Sequence, residues 1–145
     1  MNIIIGGDHA GFALKQELFE KLRQDGHTVQ DVGCYSLEPV DFPDVAKKIC
    51  AAILNGQAER GVMVCGTGVG AAIACNKTKG IRASVIHDAY TARQCVEHDD
   101  VQVCALGAQV IGNLTAFDLL KIFLNARFSG DAEFITRLNK LSEME

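Results

Sequence analysis

No apolar run in the 145-residue sequence approaches the roughly 20 consecutive residues of a membrane-spanning helix, so no membrane partner is expected. Excess positive charge is missing too. Fourteen Lys and Arg against 18 Asp and Glu leave a net charge of -4, which gives no electrostatic footing for nucleic acid or an anionic surface. Cys34, Cys50, Cys65, Cys75, Cys95 and Cys104 form no CxxC pair, and no Cys/His grouping has zinc-finger spacing, so no metal site is expected. Met1–Gly7 lacks a basic region followed by a long apolar stretch and a cleavage site. The expectation is therefore a cytoplasmic protein whose thiols are reduced, most of them buried as small hydrophobes. Linkers, repeats and low-complexity segments are absent, and residues 1–145 read as one domain. A domain of that size buries roughly 70% of its unfolded surface and needs no disulfide or metal staple. Apolar residues make up 48% and charged residues 22%, the balance of an ordinary globule.

What is present is alternation. Asn2–Gly6, His27–Val32, Gly61–Cys65, Ile81–Ile86 and Val101–Leu106 read as strands. Gly11–Asp25, Asp41–Leu54, Gly66–Asn76, Ala89–Glu97, Gly112–Arg127 and Asp131–Ser142 read as helices, the third opening on glycines. In the first helix Phe12, Leu14, Leu18, Phe19 and Leu22 fall at helical spacing, and Gly26 ends it. Asp41 stands as an N-cap with Pro43 in the following turn. Strands 1, 3, 4 and 5 are nearly continuous in apolar residues, which predicts burial on both faces. The pattern is α/β: a three-layer α/β/α sandwich around a five-stranded parallel sheet.

In such a fold ligands bind beyond the carboxyl ends of the strands. Those ends carry Gly7-Asp8-His9, Gly33–Asp41, Cys65–Gly70, His87-Asp88 and Gly107–Gln109. His98 and Asp99 precede strand 5, so only a bent loop could bring them to the same rim. The strongest local signal is Val64-Cys65-Gly66-Thr67-Gly68-Val69-Gly70, a thiol at a strand end before a glycine-rich helix start. Free amides at a helix N-terminus favour negative charge, which makes a thiolate there a usable base or nucleophile. The same amides could stabilise an oxyanion or enediolate. The plain alternative is that the glycines permit close packing and Cys65 is core filler. Gly66, Gly68 and Ala71 also spell G-x-G-x-x-A, with Asp88 where a ribose-binding acid would lie. Against a dinucleotide site stand the lack of a second domain and of a G-x-x-x-x-G-K-[ST] loop. Asp8 could accept a bond from a sugar hydroxyl, and His9 could bind phosphate or relay a proton. Equally, Asp8 could cap a helix and His9 lie on the surface. His98 beside two acids reads by default as a solvated helix end, and Arg137 as a solvated helix face. His27 reads as structural. Arg82 reads as lying inside a buried strand and pairing with an acid.

Gly7-Asp8-His9-Ala10-Gly11-Phe12, Asp31-Val32-Gly33, Asp41-Phe42-Pro43 and Cys65–Gly70 together resemble the ribose-5-phosphate isomerase B family. That family also includes the subunits of galactose-6-phosphate isomerase. Asn76-Lys77, Gly80-Ile81-Arg82-Ala83, Gly107 and Val110-Ile111-Gly112 extend the resemblance over nearly the whole chain. It implies a Rossmann-like α/β/α sandwich, active sites between the subunits of a homodimer, and aldose–ketose isomerisation of a sugar phosphate without metal or cofactor. Pairing of dimers into a tetramer stays open. By resemblance, Cys65 moves a proton between C1 and C2 through a cis-enediolate. Gly66, Gly68, Val69 and Gly70 form the anion hole, assisted by Thr67. His98 helps open the sugar ring, Asp8 contacts hydroxyls, and His9 approaches the phosphate. A subgroup that uses glutamate would carry it at Ala71, so this chain groups with the cysteine users.

Three positions depart from the family pattern. Asp99 replaces the usual asparagine, and its charge could repel an anionic ligand. Gln109 stands where an arginine is usual. The usual G-G-R-H-x-x-R tail is reduced to Gly130-Asp131-Ala132-Glu133, with Arg137 surviving one residue out of place. Each lost arginine–phosphate contact removes roughly 1.5–3 kcal/mol of charge-assisted hydrogen bonding. The expected substrate is ribose 5-phosphate and ribulose 5-phosphate. Another small sugar or sugar phosphate, a tetrose or hexose, is the alternative. A non-catalytic partner subunit and a nucleotide-binding module are further readings.

Overall fold

A computed structural model describes residues Met1–Glu145. Five parallel strands, β1 (Asn2–Gly7), β2 (Thr28–Asp31), β3 (Arg60–Cys65), β4 (Ala83–Val85) and β5 (Val103–Gly107), form one sheet in the order β2-β1-β3-β5-β4. Six helices complete the chain: α1 (Phe12–Gln24), α2 (Phe42–Leu54), α3 (Val69–Asn76), α4 (Ala89–Asp99), α5 (Asn113–Asn125) and α6 (Ala132–Ser142). None is long and apolar enough to cross a membrane.

The period-2 alternation of the strands divides the core into two layers. Ile3, Ile5, Val62, Val64, Cys104 and Leu106 face α1, α4 and α5. Ile4, Met63, Cys65, Val103 and Ala105 face α2 and α3. The central strands β1, β3 and β5 are thus buried on both sides, as their apolar runs predict. Each fully buried Ile or Leu among them contributes about 1.5–3 kcal/mol. Helix α6 packs outside this sandwich, on α4.

β4 corrects the sequence reading. It is a three-residue edge strand, half-buried rather than enclosed. Its apolar signal came from the flanking Ile81 and Ile86, which are buried outside the ladder. The Asn76 side-chain amide closes part of the open edge, donating to the Ala83 carbonyl and accepting from the Ala83 N–H, both at 2.8 Å. Arg82 precedes this strand, and it does pair with an acid, Asp100, at 2.8 Å. Helix α3 starts at Val69 rather than Gly66, because the glycines before it form a separate turn. Gly68 there has φ 81°, a conformation that costs a side chain. Asp41 occupies the N-cap of α2 without a side-chain capping bond.

Candidate active site

The strand order reverses between β1 and β3, so the loops after them diverge to opposite faces and leave a crevice at their carboxyl ends. Glycines bring its walls together. A Cβ on Gly11 would lie 2.1 Å from the Val64 carbonyl oxygen, and one on Gly107 would lie 2.7 Å from the Thr67 backbone. The β1, β3 and β5 loops can meet this closely only without side chains at these points.

Cys65 ends β3 in register with Gly107 and is buried. Its Sγ accepts a hydrogen bond from the Gly68 N–H at 3.0 Å. The Thr67 hydroxyl oxygen accepts from the Val69 N–H at 3.3 Å, at the exposed start of α3. First-turn amides of a helix have no carbonyl partner within it, and they add positive potential beside the thiol. The other thiols sit in different surroundings. Burial pushes Cys95 up to about 11 and Cys104 well above the usual thiol range. A hydrogen bond with Cys50, reinforced by burial, raises Cys75. These three stay protonated in the core.

Asp8 and His9 line the same crevice from β1. Asp8 is buried, and its Oδ1 accepts from the Gly11 N–H at 3.0 Å, a turn cap that leaves Oδ2 free for other work. His9 Nδ1 accepts from the Val40 N–H at 3.3 Å. An accepting Nδ1 carries no proton, so Nε2 bears the ring N–H and presents a donor. From β4's end, His87 Nε2 accepts from the Gly107 N–H at 2.9 Å. Desolvation lowers the His87 pKa, which keeps that ring neutral and accepting. The Gln109 side chain lies over Gly66: its Oε1 is 3.2 Å from where a Gly66 Cβ would stand.

His98, Asp99 and Arg137 lie elsewhere. Helix α4 starts at the carboxyl edge, capped by Asp88, and runs back to the amino edge, where β5 begins. Its 11 residues span about 16 Å. His98 is in its last turn, and no bent loop returns it to Cys65. The His98 ring stacks on Phe134 of α6, with centroids 4.0 Å apart and planes at 16°. Its Nδ1 lies 2.8 Å from Gln94 Nε2. The Arg137 guanidinium lies 5.3 Å from the same Phe134 ring and bonds Glu133 Oε2 at 3.0 Å. Arg82 fixes the turn beyond His98, donating to the Asp99 carbonyl at 2.7 Å and to Asp100 Oδ2 at 2.8 Å. A cleft of about 650 Å³ beside the β4 edge takes in Arg82, Gln94 and Asp99, but not Cys65.

Four contributors escaped sequence reasoning. Lys15 is wholly buried, and its place three residues before Leu18 and seven before Leu22, on the apolar stripe, was the available signal. Gln94 precedes His98 by one helical turn and was equally legible. Phe134 and the His87–Gly107 bond are tertiary contacts with no local signature.

The parallel α/β sheet sets a thiol beside helix amides at its switch point, near a carboxylate and a histidine whose Nδ1 accepts a backbone bond, an arrangement suited to moving a proton next to a developing oxyanion. Residues 3–141 match the Ribose/Galactose Isomerase family, and the chain belongs to it. The chain is 40% identical over 130 residues to the ribose-5-P isomerase B of Listeria innocua, covering 90% of this chain and 88% of that one. It is 41% identical over 134 residues to a D-erythrulose-4-phosphate isomerase of Pectobacterium atrosepticum, covering 90% and 86%. The solved ribose-5-phosphate isomerase B of Clostridium thermocellum superposes with a TM-score of 0.97 at 42% identity, covering 99% and 97%.

Proposed function

We propose that the chain interconverts ribose 5-phosphate and ribulose 5-phosphate, with Cys65 as the base. The observation that carries this reading is the Cys65 thiol, bonded to the Gly68 amide at the mouth of α3. Cys65 as thiolate takes the C2 proton of the open-chain aldose. The electron pair forms the C1–C2 double bond, and the carbonyl oxygen O1 becomes the oxyanion of a cis-enediolate. The turn Gly66–Gly70, with Val69 and the Thr67 hydroxyl, stabilises that charge. A proton passes from O2 to O1, and the Cys65 proton returns to C1, which yields the ketose. Asp8 accepts from substrate hydroxyls, and His9 Nε2–H donates to phosphate.

The working unit in this proposal is a homodimer in a reducing, cytoplasmic setting, a reading supported by the chain's free thiols. One chain holds Cys65 and His98 at opposite edges of its sheet. A second copy, related by a two-fold axis, would set its amino edge against the first copy's carboxyl edge, and the reverse. His98 of one protomer then opens the ring over the other's Cys65, while Asp99 and Arg137 join the substrate's polar groups.

A tetrose 4-phosphate is the second reading. Gln109 lays a neutral amide over Gly66, and the tail offers one arginine, Arg137, so cationic contacts to a distant phosphate are few. The Pectobacterium relative's name agrees with it. The test is turnover of ribose 5-phosphate, erythrulose 4-phosphate and free ribose by purified protein, in EDTA and without NAD. The proposal expects ribose 5-phosphate to give the highest kcat/KM. A higher value for the tetrose phosphate selects the second reading, and turnover of the free sugar alone rejects both.

A further inference from the structure

We infer that Lys15 is a positioning residue, a buried ammonium that locks the Gly33–Asp41 loop onto the Asp8-His9 turn and so sets which ring nitrogen His9 offers to substrate. The inference rests on the proposal that Asp8 and His9 contact the sugar phosphate. Lys15 has 0% exposure. Its Nζ lies 2.5 Å from Asp31 Oδ2 and 2.6 Å from the Cys34 carbonyl oxygen. The rings of Phe12 and Tyr35 enclose it, 5.6 Å and 5.4 Å away. A buried ion pair of this kind is weak evidence for stability, since apolar replacement of both partners is often neutral or stabilising. What the pair holds in place is more informative.

Asp31 Oδ1 accepts from the Gly33 N–H at 2.8 Å, and the Tyr35 hydroxyl donates to the Asp31 carbonyl at 3.1 Å. The loop then grips the residue just before Asp8. The Gly7 N–H donates to the Gly33 carbonyl at 2.7 Å, and the Cys34 N–H donates to the Gly7 carbonyl at 2.6 Å. At the far end of the same loop, the Val40 N–H reaches His9 Nδ1. Between these two grips Tyr35–Val40 are exposed, so burial does little to place Val40. The Lys15 charge fastens the start of the loop through Asp31 and Cys34. Without it, Val40 no longer holds the accepting Nδ1, and the His9 ring loses its single tautomer.

The experiment compares wild type with Lys15→Met and with the double variant Lys15→Met/Asp31→Asn. The double variant keeps the acceptor for Gly33 and buries no unpaired charge, so it folds even where the single variant does not. KM for ribose 5-phosphate should rise about tenfold in the double variant, the cost of one misaimed bond to a charged group. kcat should stay within about threefold, because Cys65–Gly70 is untouched. The ¹⁵N shifts of the His9 ring should report the Nε2–H tautomer in wild type and a mixture in the double variant. Loss of folded protein alone moves neither KM nor tautomer. A double variant with wild-type KM and a pure Nε2–H tautomer overturns the inference. If the wild type turns over no sugar phosphate, the proposed function fails, and the ring spectra still decide the lock: a mixture supports it and a pure tautomer sinks it.

Discussion

At the carboxyl edge of the sheet, the groups proposed to react are placed by backbone. Cys65 is fixed by its ladder to Gly107 and by the Gly68 amide, and the walls close because Gly11 and Gly107 carry no side chain. At the amino edge, His98 and Arg137 are placed by side chains, both against Phe134 of a helix outside the main sandwich. The difference teaches how the labour divides. Proton transfer needs a base and an oxyanion site held to fractions of an ångström, and glycine-tight loops in one chain are suited to supply that. In the proposed dimer, ring opening falls to this more adjustable set of side chains, supplied by the second copy.

The contrast is broken most severely by Cys65→Ala. It should lower kcat by about 10³-fold, within the range of a lost general base, while a competitive sugar-phosphate ligand still binds; titration of that ligand beside steady-state rates checks both. Gly11→Ala comes next. Its Cβ would push on the Val64 carbonyl next to Cys65, costing about 1–3 kcal/mol by overpacking and reducing kcat as well. Gly112→Ala, with nothing within 4 Å of its Cβ, is the neutral control for both thermal unfolding and rate.

Phe134→Leu probes the other edge. It keeps an apolar side chain but removes the ring that supports His98, and should slow ribose 5-phosphate by about threefold to tenfold. Ribulose 5-phosphate has its O5 blocked by phosphate and has no furanose to open. Solvent exchange of its C1 proton should therefore be unchanged, and equal slowing of both substrates would refute the division of labour.

The smallest effect concerns His87. Burial depresses its pKa below the ordinary 6.5, so the unfolded chain binds the proton more readily than the folded one. Stability therefore rises with pH between the depressed value and 6.5, and this contribution is lost as pH falls through that window. Thermal unfolding should show a modest fall in Tm between neutral pH and about pH 5.5, flattened in His87→Gln, which keeps an acceptor but does not titrate.

The carboxyl edge was largely legible in the sequence because its determinants are local. A β-branched run ending in Cys65, followed by three glycines and Thr67, states strand, turn and helix start within a few residues. Chain order alone placed His98 before β5 and hence at the amino edge. What stayed hidden depends on partners distant along the chain. The Ile81–Ile86 run carries an apolar signal, yet β5 takes the inner position and leaves Ala83–Val85 at the edge. The stripe position of Lys15 signals burial, but not its partners, since Asp31 ends the next strand and Cys34 lies in the loop beyond it. Phe134 meets His98 only once α6 folds back over α4.

The central claim is that each reaction site takes Cys65 from one chain and His98 from another. Cys65→Ala and His98→Ala protomers, co-expressed with different tags and purified as the heterodimer, test it directly with ribose 5-phosphate. One of the two sites in that heterodimer regains both residues, so the account predicts about half of wild-type activity, well above either parent variant. A heterodimer no more active than the average of its two parents would contradict it.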